Sequence, residues 1–200
     1  MTHTTTKQKI KKHLVDCAAL VTIGNPTYTL VEKMILHMPH TISQNARLFG
    51  IGVTFLGIGS LSTMLRDYSR DHFNISQHSP EHHIGLHDTL YGMAFSAVIS
   101  AGVYYASGAH SLEEVATGAL VAAGISAGTS WIGNYLVDSF RDFTDIEPSP
   151  RLPEKVRSLS SRTKKSLGAL LIAGSLASLP FIYHYTPTYQ QPTSQNNLSR

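Results

Sequence analysis

Apolar residues run along this chain in five long blocks separated by polar punctuation. The first covers about 14–38, is interrupted by Asn25-Pro26 and carries Glu32-Lys33 near its far end. The second covers 48–65, led in by Arg47 and closed by Arg66-Asp67. A third opens at Asp88 and runs to 107, a fourth covers 115–137, and a fifth runs from 167 to 185 and stops before Pro187. Blocks of this length cover the ~30 Å hydrocarbon layer of a bilayer at about 1.5 Å per helical residue. The expected fold class is all-α: a polytopic membrane protein of two repeated two-helix hairpins plus a fifth transmembrane helix.

The pairing into hairpins comes from a repeat. Asp16 aligns with Asp88, and Asp67-x-x-Arg70-Asp71 aligns with Asp138-x-x-Arg141-Asp142, with a shift of one residue between the two matches. Such self-similarity predicts an internal duplication, with repeats at 14–73 and 86–143 inside a four-helix core of 14–143. Turns are expected near Met38-Pro39-His40 and Gly108-Ala109-His110. Around the core lie a basic tail (1–13), a basic linker (144–166), the fifth helix (167–186) and a polar tail (187–200). Each repeat holds two spans, so both point the same way, as in transporters built from parallel repeats.

Composition strengthens the membrane reading. Only 14% of residues are charged, against about one quarter in soluble domains. The blocks are rich in Gly, Ala, Ser and Thr, which allow close helix packing in lipid. Lys and Arg gather in the N-terminal tail, at the Arg66/Arg70 edge and in the linker, which holds Arg151, Lys155, Arg157, Arg162, Lys164 and Lys165. The positive-inside rule then predicts a cytoplasmic N-terminus and an external C-terminus. The Lys-rich start lacks a short apolar run with a cleavage site, so the first block is expected to be retained rather than cleaved. The single Cys17 cannot form an internal disulfide.

On this topology the charges fall at the membrane edges. Asp16 and Asp88 open helices where Arg66, Arg70 and Arg141 close others. One reading is structural, with carboxylates at helix N-termini and cations at C-termini pinning the ends; the other is a cytoplasmic gate of ion pairs that break and re-form. Glu32 lies about 24 Å from Asp16 along a helix, near Arg47. It is either an interfacial salt bridge or a titratable carboxylate for proton coupling. Asn25-Pro26 falls near the midplane, where proline frees a carbonyl one turn back. That break suits either packing or the binding of a small zwitterion. Gly124-x-x-x-Gly128 and Gly133 form a small-residue face, for dimer contact or for packing within the chain.

The loop after the first repeat carries His72, His78, His82, His83 and His87. No Cys accompanies them, and no His-x-x-x-His among them falls on an expected helix, so no metal site and no cofactor are expected. The basic linker suits anionic headgroups and calls for no nucleic-acid partner.

Asp16 with Glu32 downstream, then Arg47-Leu48, Arg66-Asp67, Asp88 opening a helix that reaches Gly108-Ala109, and Gly133 before Asp138 and Arg141, together resemble the L-alanine exporter family over about 15–142. The resemblance implies a small prokaryotic inner-membrane protein that exports L-alanine by proton exchange and self-associates. It puts weight on Asp16, Glu32, Arg47, Arg66, Asp67, Asp88 and Arg141. The linker and fifth helix depart from the family's pattern, and its small-residue motif lies nearer Gly133 than Gly124/Gly128. The expected function is therefore export of L-alanine or a similar small neutral amino acid by proton antiport. The solute would bind near Asn25 and the Ser96/Ser100 face, Glu32 or Asp16 would carry the proton, and a homodimer would help enclose the path. Two rivals are a membrane assembly protein that transports nothing, and a metalloenzyme built on His82 and His83.

Overall fold

A computed structural model describes residues 5–35, 40–106 and 112–187. Both expected turns fall largely outside them, at 36–39 and 107–111, as does the tail beyond Pro187. Among the described residues all regular structure is helical: α1 (Thr6–Met34), α2 (His40–Val53), a π-helical turn (Thr54–Ile58), α3 (Gly59–His72), α4 (Glu81–Ala106), α5 (Leu112–Phe143), the short α6 (Glu154–Arg157) and α7 (Ser161–Tyr185).

Two helices begin well before their apolar blocks, which moves two key residues inward. Thr5 caps α1: its side chain accepts from the Gln8 amide while the Gln8 side chain accepts from the Thr5 amide at 2.9 Å. This reciprocal box starts the helix at Thr6, so Asp16 lies within α1 and does not open it. Asp88 likewise lies two turns inside α4, which starts at Glu81. Neither carboxylate sits at a helix N-terminus, and the helix-dipole account of them is set aside.

α1 continues through Pro26 as one helix. The break occurs instead at Gly57, where φ is 135° inside the π-helical turn. Only glycine adopts that conformation without strain. The turn frees carbonyls that α1 takes up: Cys17 Sγ donates to Thr54 O at 3.2 Å and His13 Nε2 bonds Phe55 O at 2.9 Å.

Among the described residues four helices are long and apolar enough to cross a membrane: Thr6–Met34, Ser43–His72, Val115–Phe143 and Ser161–Tyr185. α4, the expected third span, is not among them by composition, although its 26 residues are long enough. It packs along α5 so closely that a Cβ on Gly92 would overlap Ser130. α1 packs against both α5 and α7. The expected linker is folded onto this bundle: Leu152 joins Ala19, Val137, Phe140 and Phe143 in an apolar cluster, and Lys164 pairs with Asp142 at 2.7 Å. Leu152 thus anchors the linker to the core, while Lys155, Arg157, Arg162 and Lys165 stay exposed.

Burial inverts the pattern of a water-soluble domain. Asp16, Arg66, Asp88, Asp138 and Arg141 are 0–2% exposed, while Leu56, Val98, Leu120 and Leu170 are 69–89% exposed.

Candidate functional site

Three polar layers stack along the bundle. The first is an ion network where α1, α3, α4 and α5 meet. Arg141 grips Asp16 in a two-pronged bond, Nε to Oδ1 at 2.8 Å and Nη2 to Oδ2 at 2.7 Å, and its Nη1 reaches Asp67 at 2.9 Å. Arg70 does the same with other partners: Nε and Nη2 bond the two oxygens of Asp88, and Nη1 reaches Asp138 at 3.0 Å. Under the register that matches Asp16 with Asp88 and Arg70 with Arg141, these are the same contacts exchanged. The arginine of the first stretch holds both aspartates of the second, and the arginine of the second holds both of the first.

Arg66 has no counterpart under that register, where Val137 stands, and it lies between the halves. Its Nη2 bonds Asp67 at 2.6 Å and Asp138 at 2.9 Å. Arg151, from the segment after α5, adds Nη1 to Asp138 at 2.7 Å and Nη2 to Glu81 at 2.5 Å. Thr63 donates to Asp16 Oδ2 at 2.8 Å. Four arginines thus face four aspartates, with Lys12 and Glu81 at the rim. Forked arginine–carboxylate bonds of this kind are short and directional. Burial raises the Glu81 carboxyl, but hydrogen bonds from Arg151 and Trp131 outweigh it and hold the group below its ordinary value. Burial likewise depresses Arg151, and its bond to Glu81 and the charge of Asp138 reverse that, raising it.

The sequence places these charges at the membrane edges. They are buried, and removing one partner of a buried pair leaves an uncompensated charge. Arg70 belongs to the edge cluster that the sequence marks, whereas Asp138 and Arg151 are additions from the structure. For Asp138 the signal is present in the repeated Asp-x-x-Arg-Asp; for Arg151 nothing in the local sequence marks it apart from the other linker cations.

The second layer is a cavity of about 280 Å³ between α1, α2–α3, α4 and α5. Its polar lining includes Asn25, Tyr28, Arg47, Ser96, Thr129 and Asn134, and Leu20, Val21, Ile23, Ile58, Phe95 and several glycines are among its apolar lining. Asn25 and Ser96 line it together, as the expected solute site required; Ser100, though on the same helix, does not. Pro26 does not line it either. Asn134 joins cavity to network, since its side-chain and backbone oxygens both accept from Arg66 Nη1 at 3.2 Å. Ser96 and Ser126 bond each other across it.

The third layer lies at the other end of α1. Arg47 pairs with Glu32 Oε1, Ser43 donates to Glu32 Oε2 at 2.6 Å, and Tyr183 of α7 bonds Ser43 at 2.9 Å. Tyr183 was not anticipated, because α7 was read as lying outside the core. Asp16 and Glu32 are about 24 Å apart along α1 with Asn25 between them. The cavity is thus bracketed by two ionic layers.

The remaining expectations divide. Gly133 packs against Ile23, 3.6 Å from where its Cβ would stand, whereas Gly124 and Gly128 have no neighbour within 4 Å. Among the described residues nothing packs onto the Cβ positions of that pair. Of the histidines, His87 enters the network, bonding Ser69 at 3.0 Å and Asp88 at 3.3 Å. His82 and His83 stack edge to face, and among the described residues no three His, Cys, Asp or Glu side chains are grouped as metal ligands.

Searches against family models, curated proteins and solved structures find no match to this chain.

Proposed function

We propose that the chain is a duplicated membrane transporter that exports L-alanine or a similar small neutral amino acid across a prokaryotic cytoplasmic membrane in exchange for protons. The observation that carries this is the cavity of about 280 Å³, which lies between the buried ion network on one side and the Glu32–Arg47 pair on the other. A site closed at both ends by separable charge pairs is what alternating access needs: opening one layer while the other stays shut moves a solute and not a channel's worth of ions.

The outward-facing leucines, valines and phenylalanines of the spanning helices support burial of those faces in lipid. The exchanged partners of Arg70 and Arg141 support the duplication, because two copies of one hairpin related by a twofold relation would make equivalent contacts twice. On this reading each arginine bolts its own half to the other, and the rocking of the halves requires those bonds to part. Gly57, near the middle of the Ser43–His72 span and beside cavity residues Thr54 and Ile58, is the hinge. The open Gly124/Gly128 face of α5 is where a second copy would seat. The proton carrier is Asp16 or Glu32, the carboxylates of the two layers on α1.

The test is accumulation of labelled L-alanine in everted vesicles containing the protein, with and without an imposed proton gradient, alongside Asp16→Asn and Glu32→Gln. Gradient-driven uptake lost in one variant supports the reading and names the carrier. Uptake equal to that of empty vesicles, with the protein inserted and folded, refutes export of L-alanine.

A further inference from the structure

Arg47 is the one charged side chain lining the central cavity among the described residues; no carboxylate lines it. Its Nη2 is engaged by Glu32, yet its Nε is buried without a hydrogen-bond partner. The guanidinium is held over the ring of Tyr28, 5.1 Å from its centre. Asn25 lines the same cavity, is 5% exposed, and its Nδ2 is likewise buried without a partner. Buried donors are satisfied almost everywhere in proteins, so two unsatisfied ones on one cavity mark a place where an acceptor belongs.

We infer that the cavity recognises its solute by the carboxylate, with Arg47 and Asn25 as the specificity-determining donors. This rests on the transport reading only for the identity of the solute. An arginine fork matches a carboxylate in shape and charge, and the amide of Asn25 supplies a further donor from α1. Glu32 is the internal carboxylate that occupies Arg47 in this state. When a ligand takes over the guanidinium, Glu32 keeps the hydroxyl of Ser43, which Tyr183 backs in turn. The serines and Thr129 across the cavity are neutral, so an ammonium group on the solute meets hydroxyls and no counter-charge. The site therefore selects small solutes that carry a carboxylate and tolerates the loss of the amine.

The experiment is competition for labelled L-alanine binding to the full-length protein in nanodiscs, using propionate (carboxylate without amine) and L-alaninamide (amine without carboxylate). Propionate is expected to displace L-alanine and the amide to fail. Arg47→Gln combined with Glu32→Gln, which removes both charges of the pair together, is expected to weaken binding roughly ten- to a hundredfold, as loss of a charged hydrogen bond does. Asn25→Ala is expected to weaken it less. Displacement by L-alaninamide but not by propionate overturns the inference even if vesicles transport L-alanine, as does unchanged binding in the folded double variant. Direct calorimetric binding of propionate that depends on Arg47, in a protein that shows no L-alanine flux, upholds the inference and refutes the transport assignment. Binding of neither L-alanine nor propionate by folded protein overturns it.

Discussion

Asp138 is the residue on which the ion network turns. Its Oδ1 accepts from Arg66 at 2.9 Å, and its Oδ2 accepts from Arg70 at 3.0 Å and Arg151 at 2.7 Å. It is 1% exposed, so bulk solvent does not screen the charges it holds. Asp138→Ala therefore leaves three guanidiniums short of an acceptor and the four-against-four balance one charge positive. Breaking a buried ion pair from one side costs about 3–5 kcal/mol, and three arginines sharing the loss put this variant at the upper end. Asp67→Ala is the comparison. It also binds two arginines, but its side chain is 30% exposed, so water replaces much of what is lost and the cost is expected below about 2 kcal/mol. Equilibrium unfolding of both variants in the same detergent, followed by far-ultraviolet circular dichroism, measures the two. A loss for Asp138→Ala within about 0.5 kcal/mol of zero, or no larger than for Asp67→Ala, would refute a buried network centred on this carboxylate, since surface substitutions fall within that margin.

Two further outcomes follow from geometry outside that cluster. Gly57→Ala forces a Cβ onto a backbone at φ 135° with no neighbouring atom to clash, so its cost is backbone strain alone, about 1–3 kcal/mol; Gly52→Ala, equally open but helical, is expected to be stabilising, and equal effects at the two sites would refute the kink. Glu81 is held below its ordinary value by Arg151 and Trp131, so its contribution to stability is present above the ordinary carboxylate range and is lost as pH falls through its depressed folded value. Because Trp131 is the single tryptophan and donates to Glu81 at 2.9 Å, its fluorescence should titrate over that acid window in the native chain and stay flat in Glu81→Gln; a flat native profile would sink the assignment.

Much of this arrangement was legible in one dimension, and the part that was not has a physical cause. Long apolar blocks bounded by charge dictate helices, because backbone hydrogen bonding and the cost of wetting apolar faces are local matters. The repeated Asp-x-x-Arg-Asp set which charges share a helix face, and the rise per residue set Asn25 midway between Asp16 and Glu32. Even the early start of α1 was written in Thr5-x-x-Gln8, a capping box overlooked beside the lysines. Partner choice was not legible. Arg70 and Asp67 share a helix face, yet Arg70 binds Asp88 and Asp138, because pairing depends on distances between helices that spacing within one helix does not constrain. The same holds for burial: the pairs read as edge contacts are dry because α5 and the folded linker close over them, bringing Arg151 in from a stretch that looks like ordinary basic chain. Gly57 could not be singled out among the glycines of its helix, since only the path of the backbone there distinguishes it. The sequence by itself determined the helices and the register of their charges; the tertiary structure decided which charges meet, because Coulomb energy and desolvation are functions of separation and depth, and both exist only once the helices are packed.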